Sequence, residues 1–231
     1  MAQFEQYADP AGPGTATVDA PAVIGRMRAF RSGWPPRDGV AVFNQVYLAV
    51  SETLGRQSGY GTVPDTLDVL LAERYLTVVD TAAVGLRPPA CWRPLFQYRR
   101  HPGVHPAQFA LAGINAHIGH DLALAVVDAC HALGCAPPDL EEEFDRVGDL
   151  LVMLEERILE DLDAGPDLLE VTDPLTHLME SWSLERAREA SWSAAGMLWE
   201  LRGFPLLAAE FRERMDAGAG LVGRCLLTPC R

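Results

Sequence analysis

The chain contains no lysine, and all 19 of its basic residues are arginine. Mechanisms that need a lysine amine are therefore excluded, among them a Schiff base, a pyridoxal phosphate anchor and the phosphate-binding lysine of a P-loop. Cysteine is also scarce. The five cysteines are scattered, odd in number and never arranged as C-x-x-C, so the sequence indicates reduced thiols and no structural zinc site.

Basic residues are outnumbered by acidic residues, 19 against 32, which gives the chain a net charge of -13. Such a field repels phosphate backbones and anionic lipid surfaces, so neither nucleic acid nor membrane is expected as a partner. There is no long apolar run free of charge, and the N-terminus lacks the pattern of a secretory signal. We therefore expect a cytoplasmic protein that acts on a small molecule, with its oligomeric state left open.

Helical spacing of apolar residues is present almost throughout the chain, whereas strand-like alternation is not. The sequence therefore predicts an all-α fold, a single-domain bundle of about six to eight helices over residues 18–231, after a flexible tail at 1–17. Asp38 is a good N-cap and Gly134 a good helix stop. Helices are predicted near 20–30, from 38, over 65–84, 106–132, 139–162, 175–202 and 205–216.

The central apolar segment carries an unexpected set of polar residues, with the sequence GINAHIGHDLALAVVDACH. At about 100° per residue, His117, His120, Asp121, Asp128 and His131 form one stripe of a helix. A solvated stripe normally carries long charged side chains, but this one carries only short, directional His and Asp. His117 and Asp121 stand at i and i+4, where the carboxylate can hold the imidazole and raise its basicity.

The same segment resembles an uncharacterised bacterial family, the domain of unknown function 5995. The likeness rests on HPAQFALAGINAHIGHDLALAVV, with weaker likeness in DGVAVFNQVYLAV, LAERYLTVVD, PPACWRPLF and LERAREASWSAAGMLW. The resemblance carries Asn115, His117 and Asp121 onto the family motif, from which His120 departs. It implies a helical fold and supplies no activity.

These observations favour a small-molecule enzyme in which a buried His–Asp pair is the general acid and base. We expect a metal-independent lyase, isomerase or cyclase acting on a largely apolar metabolite without a cofactor. The predicted catalytic residues are His117, Asp121 and His120. The predicted substrate-binding residues are Asn115, Asp128, Trp92, Trp182 and Arg186.

Two alternatives remain open at this point. In the first, His117, His120 and Asp121 bind a single divalent metal ion in a hydrolase-like enzyme. In the second, the protein is a non-catalytic binder of hydrophobic ligands, and the His–Asp pair is a buried polar tie. A nucleotide site is not expected: GAGLVG at 218–223 matches G-x-G-x-x-G, but no strand precedes it.

Overall fold

The computed structural model describes residues 20–57, 66–146, 148, 152–153 and 183–229. Within these ranges the chain is all-α and contains no strand, as the sequence predicted. The helices are α1 (Ala20–Gly33), α2 (Gly39–Gln57), α3 (Thr66–Ala83), α4 (Arg93–Tyr98), α5 (Pro106–Ala116), α6 (Ala123–Leu133), α7 (Leu184–Glu200) and α8 (Pro205–Leu226). A π-helical segment, His117–Leu122, joins α5 to α6, and Pro137–Leu140 and Leu201–Gly203 are 3₁₀ turns.

Some predictions fall outside the described residues. They are the flexible tail at 1–17, most of the helix predicted over 139–162, and the first part of the helix predicted over 175–202. Residues 141–146, at the start of the former, are helical.

Local signals set several helix ends where the sequence predicted them. Asp38 caps α2, because its Oδ1 accepts a hydrogen bond from the backbone N–H of Val40 at 3.0 Å. Gly134 ends α6 in the left-handed conformation, with φ of 68°, and its N–H bonds the carbonyl of Cys130. These caps act within one turn of the chain, which is why the sequence alone reveals them.

Two other helix boundaries differ from the prediction. The proline-rich connection before residue 106 contains the short helix α4, with a proline in its first turn, where a missing N–H costs nothing. Within the range predicted as helix 175–202, Ser183 is extended (φ -108°, ψ 121°), and its Oγ accepts a hydrogen bond from the backbone N–H of Arg186. Helix α7 therefore begins at Leu184.

The last helix is longer than predicted and continues past residue 216 to Leu226. The added length includes the glycines of GAGLVG, which are helical where α8 packs on the turn before α4. A Cβ added to Gly220 would lie 2.4 Å from the carbonyl oxygen of Ala90, so only glycine allows this approach. The motif is thus a helix-packing surface.

Helix α5, the π segment and α6 form the centre of one hydrophobic core to which each of the helices α1–α8 contributes. Helix α5 packs against α2 and α8, while α6 packs against α3 and α7. All residues from Ala107 to Ala116 are buried. The segment predicted to carry the site is therefore enclosed on several sides.

One helical stretch, Pro106–Leu133, is long and apolar enough to cross a membrane by length and composition alone. Most of it is buried inside the protein, which is also true of core helices in soluble proteins. It is therefore weak evidence for a membrane span.

Candidate functional site

The π segment coincides with the polar motif and places three of its side chains in the core. His117, His120 and Asp121 are 1%, 8% and 2% exposed. Farther along the same face, Asp128 is half-buried and forms an ion pair with Arg74, while His131 is exposed. The polar stripe is therefore buried only where the backbone is π-helical, a conformation frequent at functional sites.

Asp121 is the centre of a buried hydrogen-bond network. Its Oδ2 accepts a hydrogen bond from Trp92 Nε1 at 2.8 Å, and its Oδ1 lies 2.9 Å from His120 Nδ1. His117 Nδ1 lies 3.6 Å from Oδ2, which is longer than a hydrogen bond. The carboxylate thus hydrogen-bonds the neighbouring His120, while the expected i, i+4 partner His117 stays in electrostatic contact.

This arrangement keeps Asp121 ionised. Burial by itself raises the pKa of a carboxyl group, but the His117 and His120 imidazoles outweigh it and hold the pKa of Asp121 well below its usual range. Because the carboxylate is only an acceptor, His120 Nδ1 carries the proton in their shared hydrogen bond. The Nε2 atom of His120 is then the ring nitrogen left for other chemistry.

The ring of His117 is surrounded by four aromatic side chains. Ring-centroid distances are 4.8 Å to Tyr47, 5.9 Å to Phe43, 6.1 Å to Trp92 and 6.5 Å to Tyr75. Burial raises the pKa of both tyrosines, so both are neutral phenols. Among the described residues, neither ring nitrogen of His117 has a hydrogen-bond partner.

A second group of chemically active side chains adjoins the first. Potential ligand atoms of Cys91, His120 and Asp216 lie within 4.8 Å of one another. The Asp216 carboxylate accepts hydrogen bonds from the backbone N–H groups of Ala90 and Cys91, each at 2.8 Å. Burial raises the pKa of the Cys91 thiol well above its ordinary value, and the charges of Asp121 and Asp216 raise it further. This group shares only His120 with the metal ligands predicted from the sequence.

The other predicted substrate-binding residues have different surroundings. Asn115 is buried and its side-chain amide donates to the carbonyl of Ala219 at 2.8 Å, tying α5 to α8. Arg186 is exposed in the first turn of α7. Trp182 lies outside the described residues. Trp92, which was predicted to bind substrate, donates a hydrogen bond to Asp121 and so belongs to the buried network.

Comparison with known families supports the resemblance seen in the sequence. A profile of the family of unknown function DUF5995 matches residues 20–229. The chain belongs to DUF5995. No curated protein and no solved structure matches it.

In this DUF5995 protein, sequence reasoning missed much of the site. Phe43, Tyr47 and Tyr75 lie on predicted apolar helix faces, and nothing in their spacing distinguishes a wall around His117 from ordinary core. Cys91 and Asp216 are far apart in the chain and in no motif. Only the packing of α8 against the turn before α4 brings them together.

Proposed function

We propose that this protein is an enzyme that moves a proton on a small, largely apolar substrate, with His117 as the general base and then the general acid. The observation that carries the proposal is the state of His117. It is buried beside an ionised carboxylate, with no hydrogen-bond partner for either ring nitrogen among the described residues. A buried polar group without a partner costs about 1–3 kcal/mol, which a function would explain.

In the proposed reaction, a ring nitrogen of His117 takes a proton from a carbon of the substrate. The bonding electrons stay on the substrate and form or shift a double bond, and Asp121 stabilises the imidazolium by its charge. Return of the proton to another carbon completes an isomerisation. In a cyclisation, the electron pair instead forms the ring bond to an electrophilic carbon of the substrate, and the proton goes to the atom that receives the displaced electrons. Its delivery to a departing group completes an elimination, the reaction of a lyase. The proton transfer requires no organic cofactor.

The surroundings of His117 support an apolar, uncharged substrate. Phe43, Tyr47, Tyr75 and Trp92 offer aromatic surface, which favours hydrocarbon groups. The nearby Asp121 carboxylate disfavours an anionic group by charge repulsion.

The test is untargeted mass spectrometry of a bacterial metabolite extract incubated with the protein in deuterium oxide. We expect at least one apolar metabolite to be converted. An isomerisation or cyclisation leaves the elemental composition of the product unchanged, and an elimination divides the substrate into two products. An isomerised or cyclised product should carry deuterium on carbon, because the base exchanges its proton with solvent, whereas an elimination product gains none. The His117→Leu variant should be inactive, and the matched control His131→Gln, an exposed histidine one helix farther on, should be active.

Two results would contradict the proposal. One is conversion by His117→Leu at the rate of the unmodified protein. The other is a metabolite that the protein retains but never converts, which would identify a binding protein.

A further inference from the structure

We propose that Cys91, His120 and Asp216 form a binding site for one divalent transition-metal ion, with zinc as the best match. The three potential ligand atoms come from the turn before α4, the π segment and α8, and lie within 4.8 Å of one another. Thiolate, imidazole and carboxylate are the ligand types that zinc takes in proteins. The site goes beyond the proposed function and does not rest on it, since His117 is not a ligand.

The histidine of this site is already oriented for metal binding. Asp121 holds His120 Nδ1 at 2.9 Å, which leaves Nε2 for the metal. Trp92 in turn anchors the other oxygen of Asp121. A carboxylate behind a ligating histidine is a recurrent outer shell of zinc sites, because it fixes the ring and increases its basicity.

The carboxylate ligand is oriented as well. Each oxygen of Asp216 accepts one backbone N–H, from Ala90 or Cys91, and has lone-pair capacity left for a cation. Such hydrogen bonds to a ligating carboxylate are the usual support in metal sites.

Charge and access also fit a cation. The negative charges of Asp121 and Asp216 both act on the Cys91 thiol, and a carboxylate oxygen of Asp216 lies within 4.8 Å of its sulfur. Binding would release the thiol proton to solvent as the sulfur–metal bond forms. Cys91 and His120 are buried while Asp216 is half-buried, so an ion can enter from the Asp216 side. Three protein ligands leave a fourth position open, the pattern of catalytic zinc sites.

The experiment measures metal binding directly. The full chain is stripped with a chelator, incubated with zinc, desalted and analysed by plasma mass spectrometry. We expect one zinc per chain, with loss of uptake in Cys91→Ser and in Asp216→Asn. Cys225→Ser, which changes an exposed cysteine of α8, is the matched control and should keep the metal. Asp121→Asn should weaken binding about 10- to 100-fold, since it removes the group behind His120.

Replacement of zinc by cobalt tests whether the Cys91 thiolate is a metal ligand. The folded, unmodified protein loaded with cobalt should show thiolate-to-metal charge-transfer absorption, and Cys91→Ser should lack it. Circular dichroism of each metal-free variant checks the fold. Absence of stoichiometric metal in the unmodified protein, or of the thiolate band in its cobalt form, would overturn the proposal, whether or not the variants fold.

The metal-site proposal and the proposed function can be refuted independently of each other. His117→Leu should bind zinc as the unmodified protein does while losing conversion of the substrate. If Cys91→Ser instead keeps full zinc uptake, the metal site is wrong and the assignment of His117 is unaffected.

Discussion

Trp92 donates its indole N–H to Asp121 at 2.8 Å, joining two buried side chains that are 29 residues apart in the chain. The bond links the turn before α4 to the π segment of the central helix. It leaves one carboxylate oxygen for His120, and it directs Asp121 between the two histidines. Trp92, a largely apolar side chain, is thus part of the buried polar network.

Removal of this donor should destabilise the fold. Trp92→Phe leaves Asp121 Oδ2 without its partner inside the core, and a hydrogen bond to a charged group contributes about 1.5–3 kcal/mol. We expect a loss of at least this size in the free energy of unfolding, measured by urea denaturation. Trp199→Phe, at a half-buried ring against His131, is the control and should cost less. Equal losses in the two variants would refute a special role for the indole N–H.

His117 should be dispensable for stability. His117→Leu removes a buried imidazole that has no hydrogen-bond partner among the described residues, at the cost of its electrostatic contact with Asp121. Because Trp92 and His120 still hydrogen-bond Asp121, we expect the free energy of unfolding to fall by no more than about 1 kcal/mol. Thermal and urea unfolding check this. A loss of several kcal/mol would identify His117 as a structural tie.

Two glycines of α8, Gly218 and Gly220, should change the stability of the fold in opposite directions when each is replaced by alanine. Gly220→Ala drives a methyl group into the Ala90 carbonyl oxygen, and overpacking of this kind costs about 1–3 kcal/mol. Gly218→Ala meets no atom within 4 Å and should stabilise the helix by about 0.5–1 kcal/mol. Paired urea denaturation curves measure both changes. Identical effects would show that α8 does not pack on this turn as described.

Acid should weaken the N-terminus of α5. His105 caps this helix, with its Nδ1 accepting the N–H of Ala107 at 3.3 Å, and burial lowers the pKa of His105 below its ordinary 6.5. The unfolded chain therefore binds this proton more readily than the folded one. The contribution of His105 to stability is complete above about pH 6.5 and decreases as the pH falls below it.

The test is urea denaturation of the unmodified protein and of a His105 variant across this pH range, with the urea concentration at the unfolding midpoint as the measured quantity. His105→Asn keeps a capping acceptor but does not titrate, so its midpoint should fall less on acidification. If both proteins respond to pH alike, the loss arises from other groups.

The sequence by itself determined the helical class and several helix ends. Asp38 and Gly134 act on backbone groups within one turn, and apolar periodicity is a property of neighbouring residues. It also indicated the segment of the candidate site, because three short polar residues in an apolar helix stand out before any of their contacts is known. Family membership, visible in the same residues, follows from the sequence as well.

Only the tertiary structure determined which side chains meet in the candidate site. A regular helix places His117 and Asp121 one turn apart, but the π segment changes that register, and His120 takes the hydrogen bond instead. The aromatic wall around His117 and the meeting of Cys91, His120 and Asp216 depend on helices distant in the chain. Such contacts follow from how whole helix faces pack. Gly220 permits one close approach of this kind because it has no side chain, and no local pattern reveals that requirement.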